Sequence, residues 1–124
     1  MKHIKPSDLQ FEPQQGSERV FILNENDFGL NAKAQIVRVD PGQHLKPHVH
    51  KIRIELAQVM SGEGDIVVNG KAVVSKPGEF VLVEPGDVHT LINRGQDKFV
   101  VMVLTVNDPG PEDMIWVEEE AGNE

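Results

Sequence analysis

Short apolar segments separated by turn-forming residues constrain the fold of this sequence most. They recur about every ten residues, with Gly, Pro, Asn and Asp between them. The clearest turn is Asn69-Gly70, because this pair accepts the positive φ angles of a two-residue type I′ hairpin. The pattern predicts an all-β fold. Its predicted strands cover residues 17–23, 33–39, 44–50, 54–60, 64–68, 71–75, 79–83, 88–93, 98–106 and 113–117.

Helix signals are sparse in this chain. The best candidate is the segment from Pro6 to Gln10, with Ser7 as a cap, and it allows one turn at most. Many short strands with so little helix favour either a sandwich or a closed barrel. We find no internal linker and no long repeat, so the 124 residues suit a single domain, residues 1–124, with a barrel core at about 17–117.

Charge and composition exclude several classes of partner. The formal net charge is −8 and no basic cluster is present, which argues against nucleic-acid binding. The longest apolar run, residues 99–106, is far shorter than the ~20 residues that span a bilayer. The N-terminus has no apolar run after its lysines and the chain has no cysteine, so we expect a cytoplasmic protein without a secretory signal or a membrane partner.

Histidines in two segments predict a metal site. His48 and His50 are two residues apart, so along a strand both imidazoles point to one face. Glu55 follows after a bend and begins the next strand, and His89 follows the turn at residues 84–87. Three imidazoles and one carboxylate can hold one divalent ion such as Fe, Mn, Zn, Ni or Cu, and this ligand set does not select strongly among them.

The spacing of these residues resembles the two signature motifs of the cupin superfamily. Gly42, His48, His50, Glu55 and Gly62 match the first motif in full. The segment 78–93 is similar to the second, and its matching residues are Gly78, Gly86, His89 and Asn93. One position departs, because Glu84 stands where the family usually has Pro, and the proline follows one place later. We expect this departure to leave the aim of His89 unchanged.

The resemblance implies a fold, a ligand set and an oligomeric state. The fold would be a double-stranded β-helix, a jelly-roll-like cupin barrel with the metal near one mouth. In that family the matching three histidines and glutamate are the metal ligands, and members are often dimers. A homodimer is also expected because the run 99–106 is apolar on both faces.

Two further residues are candidates for substrate binding. His44 shares strand parity with His48, but Pro47 can interrupt the strand, which favours a structural or rim position for His44. Arg53 lies between the ligand strands and could hold an anion, although a surface position is the simpler interpretation. Trp116 is expected to pack or to contact a partner subunit.

The reaction is less constrained than the fold, because a fold does not name a reaction. Strand parity predicts an apolar cavity lined by Ala57, Val59, Phe80, Leu82, Leu91, Val101 and Val103. With few proton-transfer groups, the metal would supply the reactivity, which favours a dioxygenase-like enzyme acting on a small molecule. The alternatives are a binding protein for a carboxylate or sugar, a sugar isomerase or epimerase, and a purely structural metal site. No catalytic side chain beyond the metal ligands can be named.

Overall fold

A computed structural model of the chain describes residues 1–118, with Val74 described by its backbone alone. The strands are β1 (Glu12–Gln14), β2 (Ser17–Leu23), β3 (Ala32–Val39), β4 (His48–Val49), β5 (Ile54–Ser61), β6 (Gly64–Val68), β7 (Lys71–Ser75), β8 (Phe80–Val83), β9 (His89–Asn93), β10 (Phe99–Val106) and β11 (Ile115–Trp116). The helices are the short α1 (Glu25–Phe28) and two single 3₁₀ turns, Pro6–Asp8 and Pro111–Asp113.

Two antiparallel sheets make up the fold. The first has six strands in the order β1-β2-β3-β10-β5-β8, and the second has five in the order β11-β4-β9-β6-β7. Strands next to each other in a sheet are often far apart in the chain, as β3, β10 and β5 are. This double-stranded β-helix confirms the predicted fold class.

The core lies between the facing sides of the two sheets. Alternate residues of β10 are buried, as period-2 side-chain alternation requires, and Phe99 and Val101 are fully enclosed. They pack with Val39 and Val59 from the six-stranded sheet and with Ile66 from the other sheet. Of the predicted cavity-facing residues, Ala57, Val59, Leu91, Val101 and Val103 are buried.

The predicted hairpin turn is confirmed. Asn69 and Gly70 have φ angles of 51° and 79°, and Val68 pairs with Lys71 on either side of them. Positive φ at both central positions is the requirement of a type I′ turn.

The prediction that Phe80 and Leu82 face the cavity is wrong. Both are more than half exposed, and Val81 and Val83 take the inner positions instead. The cause is register: Val83 lies opposite Glu55, so that alternation turns Leu82 to the outer face.

Other differences lie at strand ends and in short elements. The predicted strand 44–50 is reduced to His48–Val49 with an isolated bridge at His44, because Pro47 lacks an N–H for the ladder. The predicted strand 113–117 is a 3₁₀ turn followed by two strand residues. No helix within residues 1–118 is long and apolar enough to cross a membrane.

Candidate metal centre

The four predicted metal ligands come together at one end of the core. Donor atoms of His48, His50, Glu55 and His89 all lie within 4.8 Å of one another, and all four residues are buried. Donors ~2.1 Å from a common ion are at most ~4.2 Å apart, so less than an ångström of closure would let one ion contact all four.

Strand pairing brings three of these residues to the cluster. His48 of β4 lies directly opposite His89 of β9, which puts both rings on one face with their centroids 4.1 Å apart. Glu55 comes from the other sheet, where it lies opposite Thr105. The Thr105 hydroxyl donates to Glu55 Oε2 over 3.2 Å and fixes the carboxylate. The cluster therefore sits where the two sheets meet.

The bend after His50 is held by Asp113, more than sixty residues away in sequence. The main-chain carbonyl of Asp113 accepts a hydrogen bond from His50 Nδ1 at 2.9 Å. Its carboxylate accepts from the backbone N–H groups of Lys51, Ile52 and Arg53. One residue thereby orients a ring of the cluster and shapes the connection that leads to Glu55.

The turn before His89 is fixed from two sides. Gly86 N–H donates to the carbonyl of His50 at 2.8 Å, and the Asn69 side chain bonds both Asp87 and Val88. These contacts tie the predicted hairpin to the loop that carries His89. The turn forms with Glu84 in the place of the usual proline, and His89 lies in the cluster.

The hydrogen bonds of the three rings determine their tautomers. The Nδ1 atoms of His48, His50 and His89 lie 3.1, 2.9 and 2.9 Å from the carbonyls of residues 46, 113 and 87. A carbonyl only accepts, so each Nδ1 carries a proton, and Nε2 is the ring nitrogen left to face the cluster. This outer hydrogen bond is typical of metal-bound histidine.

On the inner side of the cluster, ring nitrogens of His50 and His89 lie against the Glu55 carboxylate. Nε2 of His50 lies 3.2 Å from Glu55 Oε1 but without hydrogen-bond geometry, whereas Nε2 of His89 is hydrogen-bonded to the same oxygen at 3.2 Å. Ring nitrogens and a buried carboxylate oxygen thus meet at one point, an arrangement that a cation bound to all of them would stabilise. The donor set therefore fits a divalent metal ion.

Burial and contacts within the cluster also shift its pKa values. Burial, with repulsion from His89, lowers the pKa of His48 from 6.5 to about 3, so this ring stays neutral over the ordinary pH range. Burial alone would raise the pKa of Glu55, but contacts with His50 and His89 hold it well below its usual value. A neutral imidazole beside an ionised carboxylate is the state that binds metal.

A cavity of about 40 Å³ adjoins the cluster. Its walls include His48, Glu55 and His89 together with apolar residues of both sheets. The remaining polar or flexible wall residues are Gln14, Arg19, Gln35 and Met114. Three of them, Gln14, Arg19 and Met114, also line an open surface groove of about 580 Å³. The cavity is small, since one water molecule occupies about 30 Å³ in the liquid.

The two candidate substrate residues lie elsewhere. Arg53 is buried, which the surface interpretation did not anticipate, and its guanidinium pairs with Asp108 at 3.1 Å and Asp113 at 3.5 Å. These contacts account for its charge, and it is not among the cavity walls. His44 is exposed on the segment before β4.

Several residues of the site carried no recognisable sequence signal. Asp113, Thr105 and Gln35 all come from distant segments, and each is an ordinary polar residue in an apolar strand or an acidic turn. Trp116, predicted to pack, lies opposite His48 with its ring 5.3 Å from the imidazole. Only the pairing of β11 with β4 reveals that contact.

This chain belongs to the cupin domain family, whose model matches residues 35–106. One curated relative that it matches is an oxalate-binding protein of Thermotoga maritima, 26% identical over 70 residues. That match covers 56% of this chain and 58% of the relative, so the chain matches a little over half the relative's length.

Solved structures share the fold over nearly the whole chain. A predicted oxalate decarboxylase from Thermotoga maritima has a TM-score of 0.77 and 19% identity, covering 94% of this chain and 100% of its own. The polyketide cyclase RemF from Streptomyces resistomycificus has a TM-score of 0.79 and 19% identity, covering 98% and 88%. A protein with a double-stranded β-helix domain from Klebsiella pneumoniae has a TM-score of 0.77 and 25% identity. The match covers 96% of this chain and 100% of that protein.

Proposed function

We propose that this protein binds one divalent transition-metal ion through His48, His50, Glu55 and His89 and uses it to bind a small molecule. The observation that carries the proposal is the convergence of ring nitrogens from three buried histidines on a buried carboxylate, with all four donor atoms within 4.8 Å of one another. Four protein donors leave about two positions of an octahedral ion for other oxygen or nitrogen donors. Those positions would adjoin the small cavity.

Each residue of the cluster has a distinct part in this proposal. The three backbone carbonyls hold the rings in the tautomer that offers Nε2, and Thr105 holds the Glu55 carboxylate in place. Glu55 supplies one negative charge, which offsets half of a divalent cation's charge. When bound, the metal would supply Lewis acidity and, if redox-active, electron transfer.

Elemental analysis of untagged protein tests the metal site. We expect close to one equivalent of a divalent metal in the wild type, and a loss of at least tenfold in affinity for Glu55→Gln. His3→Ala removes an exposed histidine outside the cluster and should keep the metal. Folded wild-type protein that takes up no more Mn²⁺, Fe²⁺ or Zn²⁺ than Glu55→Gln would overturn the proposal.

A small organic acid is the ligand class that we favour. The cavity has room for only a few atoms, and a related protein is described as oxalate-binding. A carboxylate can occupy one or two positions on a metal ion. Oxalate is therefore the first probe, measured by isothermal titration into the metal-loaded protein.

A dioxygenase-like reaction is the second candidate function. Among the described residues that line the cavity, the cluster itself supplies the only carboxylate and imidazoles, and the other polar groups are amides and one guanidinium. An isomerase or epimerase needs a general acid or base in reach, which this lining does not offer. Oxygen uptake by Fe²⁺-loaded protein with diols, diketones or thiols, compared with Zn²⁺-loaded protein, tests this function; equal rates with both metals would contradict it.

We also propose that two copies of the chain form a dimer. The outer face of the six-stranded sheet supports this, because Phe80 and Leu82 are exposed on β8, and Met102 and Leu104 are only half-buried on β10, with β5 between the two strands. Apolar side chains on an outer sheet face gain by burial against a partner surface.

A further inference from the structure

The Gln35 side chain has an unused polar group at the cavity. Gln35 lies on β3 opposite Val103, and the residue is only 8% exposed. It lines the same cavity as His48, Glu55 and His89. Its Oε1 is buried and has no hydrogen-bond partner among the residues that the structure describes. A buried amide oxygen without a partner is costly, which points to a bound molecule as its partner.

Arg19 has a similar unpaired group where the cavity meets the surface groove. It lies on β2 opposite Val37, a core residue, and therefore belongs to the inner face of the sheet. Its Nε is buried without a hydrogen bond, and the Glu12 carboxylate lies 3.6 Å away. Arg19 lines both the inner cavity and the groove outside it. Gln14 and Met114 also line both, so this guanidinium lies where the cavity and the groove adjoin.

We propose that Arg19 and Gln35 determine specificity for a small carboxylate ligand at this site. The inference rests on the proposed metal site, because metal chelation would hold the other end of the ligand. A guanidinium matches the planar, bidentate geometry of a carboxylate. The Gln35 Oε1 would accept from a hydroxyl or from water bound with the ligand, and the Nε2 amide group can donate to a carboxylate oxygen.

The size and charge of the site support a compact anionic ligand. The cavity of about 40 Å³ limits the ligand to a compact molecule. The chain carries a formal charge of −8, so an anion gains local attraction only where a cation such as Arg19 faces the site.

Oxalate binding to Zn²⁺-loaded protein tests this inference, with Arg19→Met and Gln35→Leu as the variants. We expect each variant to bind one metal ion and to weaken oxalate binding at least tenfold. Arg38→Met is the matched control, since its side chain is as exposed as that of Arg19 but pairs with Glu18 on the other face. Gln58→Leu removes an amide from the outer face of β5. Both controls should leave oxalate affinity within twofold.

Two further measurements separate recognition from a structural role. Arg19→Met should lose most of the salt dependence of oxalate binding, but should bind acetohydroxamate, a chelator without a carboxylate, as the wild type does. If Arg19→Met or Gln35→Leu does not fold, Arg19→Lys should retain part of the affinity and Gln35→Glu should lose more than tenfold through repulsion.

The outcomes distinguish this inference from the proposed function. If metal-loaded wild type, Arg19→Met and Gln35→Leu all bind oxalate with equal affinity, or if none binds it, the inference is overturned and the metal site stands. If the wild type takes up no metal, the proposed function fails first.

Discussion

Asp113 shows how a single residue outside the cluster can control the site. Its carbonyl orients the His50 ring, and its carboxylate caps three consecutive backbone N–H groups and faces the Arg53 guanidinium. Removing a buried carboxylate from such a network leaves several donors without a charged partner, which is more costly than the loss of one hydrogen bond.

Asp113→Asn should therefore lower the free energy of unfolding by about 2 kcal/mol. The amide keeps one acceptor oxygen but loses the charge that pairs with Arg53. Urea unfolding monitored by circular dichroism gives the value. Glu112→Gln, an exposed carboxylate in the same turn, is the control and should change stability by less than ~0.5 kcal/mol. Equal stability of the two variants would contradict the role of Asp113.

The contribution of Asp113 to stability depends on pH, and the direction of its pKa shift determines how. Burial alone would raise the pKa of Asp113, but its bonds to the N–H groups of residues 53, 51 and 52 and the charge of Arg53 lower it below 3.8. A lowered pKa contributes stability above the unfolded value of about 3.8, and this contribution is lost as the pH falls through the folded value. The stability difference between metal-free wild type and Asp113→Asn should be constant from pH 7 to pH 5 and shrink below pH 4. A stability difference between the two proteins that grows as the pH falls would contradict this prediction.

The metal ligands could be predicted from sequence, whereas their supports could not. His48 and His50 follow from strand parity, and with Glu55 and His89 they match a spaced motif. Asp113 acts over 60–63 residues, and nothing in the local sequence predicts such a contact. Arg53 illustrates the same limit, because its acidic partners lie beyond the motif.

At the scale of elements, turn chemistry predicted more than strand parity did. The hairpin at Asn69-Gly70 formed as predicted because the turn type follows from the residues themselves. The inward-facing residues predicted for β8 from side-chain alternation were wrong, because the pairing of β8 with β5 decides which residues face inward. The short helix α1 had a readable signal in the Asn24 and Asp27 capping box and the left-handed Gly29, but four residues are too few for a periodic pattern.

The glycines at turns differ in what surrounds them, and this predicts different effects of substitution. Gly62 and Gly42 both have positive φ, 84° and 78°. A Cβ on Gly62 would lie 2.3 Å from the Lys98 carbonyl oxygen, whereas one on Gly42 would meet nothing within 4 Å. Each alanine substitution lowers the free energy of unfolding by about 1 kcal/mol, because alanine disfavours the left-handed backbone conformation.

Gly62→Ala should therefore destabilise the protein by at least ~2 kcal/mol more than Gly42→Ala, because the backbone must also move to relieve the overlap. Thermal unfolding of the two variants, side by side, measures the difference. Equal melting temperatures would contradict this prediction, because they would mean that the connection from β5 to β6 moves to accept the Cβ without loss of stability.

At the scale of the whole molecule, the two sheets differ in what their outer faces expose. Outward positions of β8 and β10 in the six-stranded sheet carry Phe80, Leu82, Met102 and Leu104. The metal cluster lies on the inner side of this sheet, so association through the outer face would leave the groove at Arg19 open. A dimer formed there is compatible with ligand entry.

Phe80→Glu combined with Leu82→Glu should convert a dimer into a monomer, because two buried negative charges would face their symmetry mates across the interface. Both side chains are more than half exposed in the single chain, so the variant should fold, and circular dichroism checks this. Size-exclusion chromatography with light scattering at micromolar concentration measures the mass. Val73→Glu, on β7 of the other sheet, is the control and should remain dimeric. A wild type that is monomeric under these conditions, or a double variant that stays dimeric, would contradict a dimer through this face.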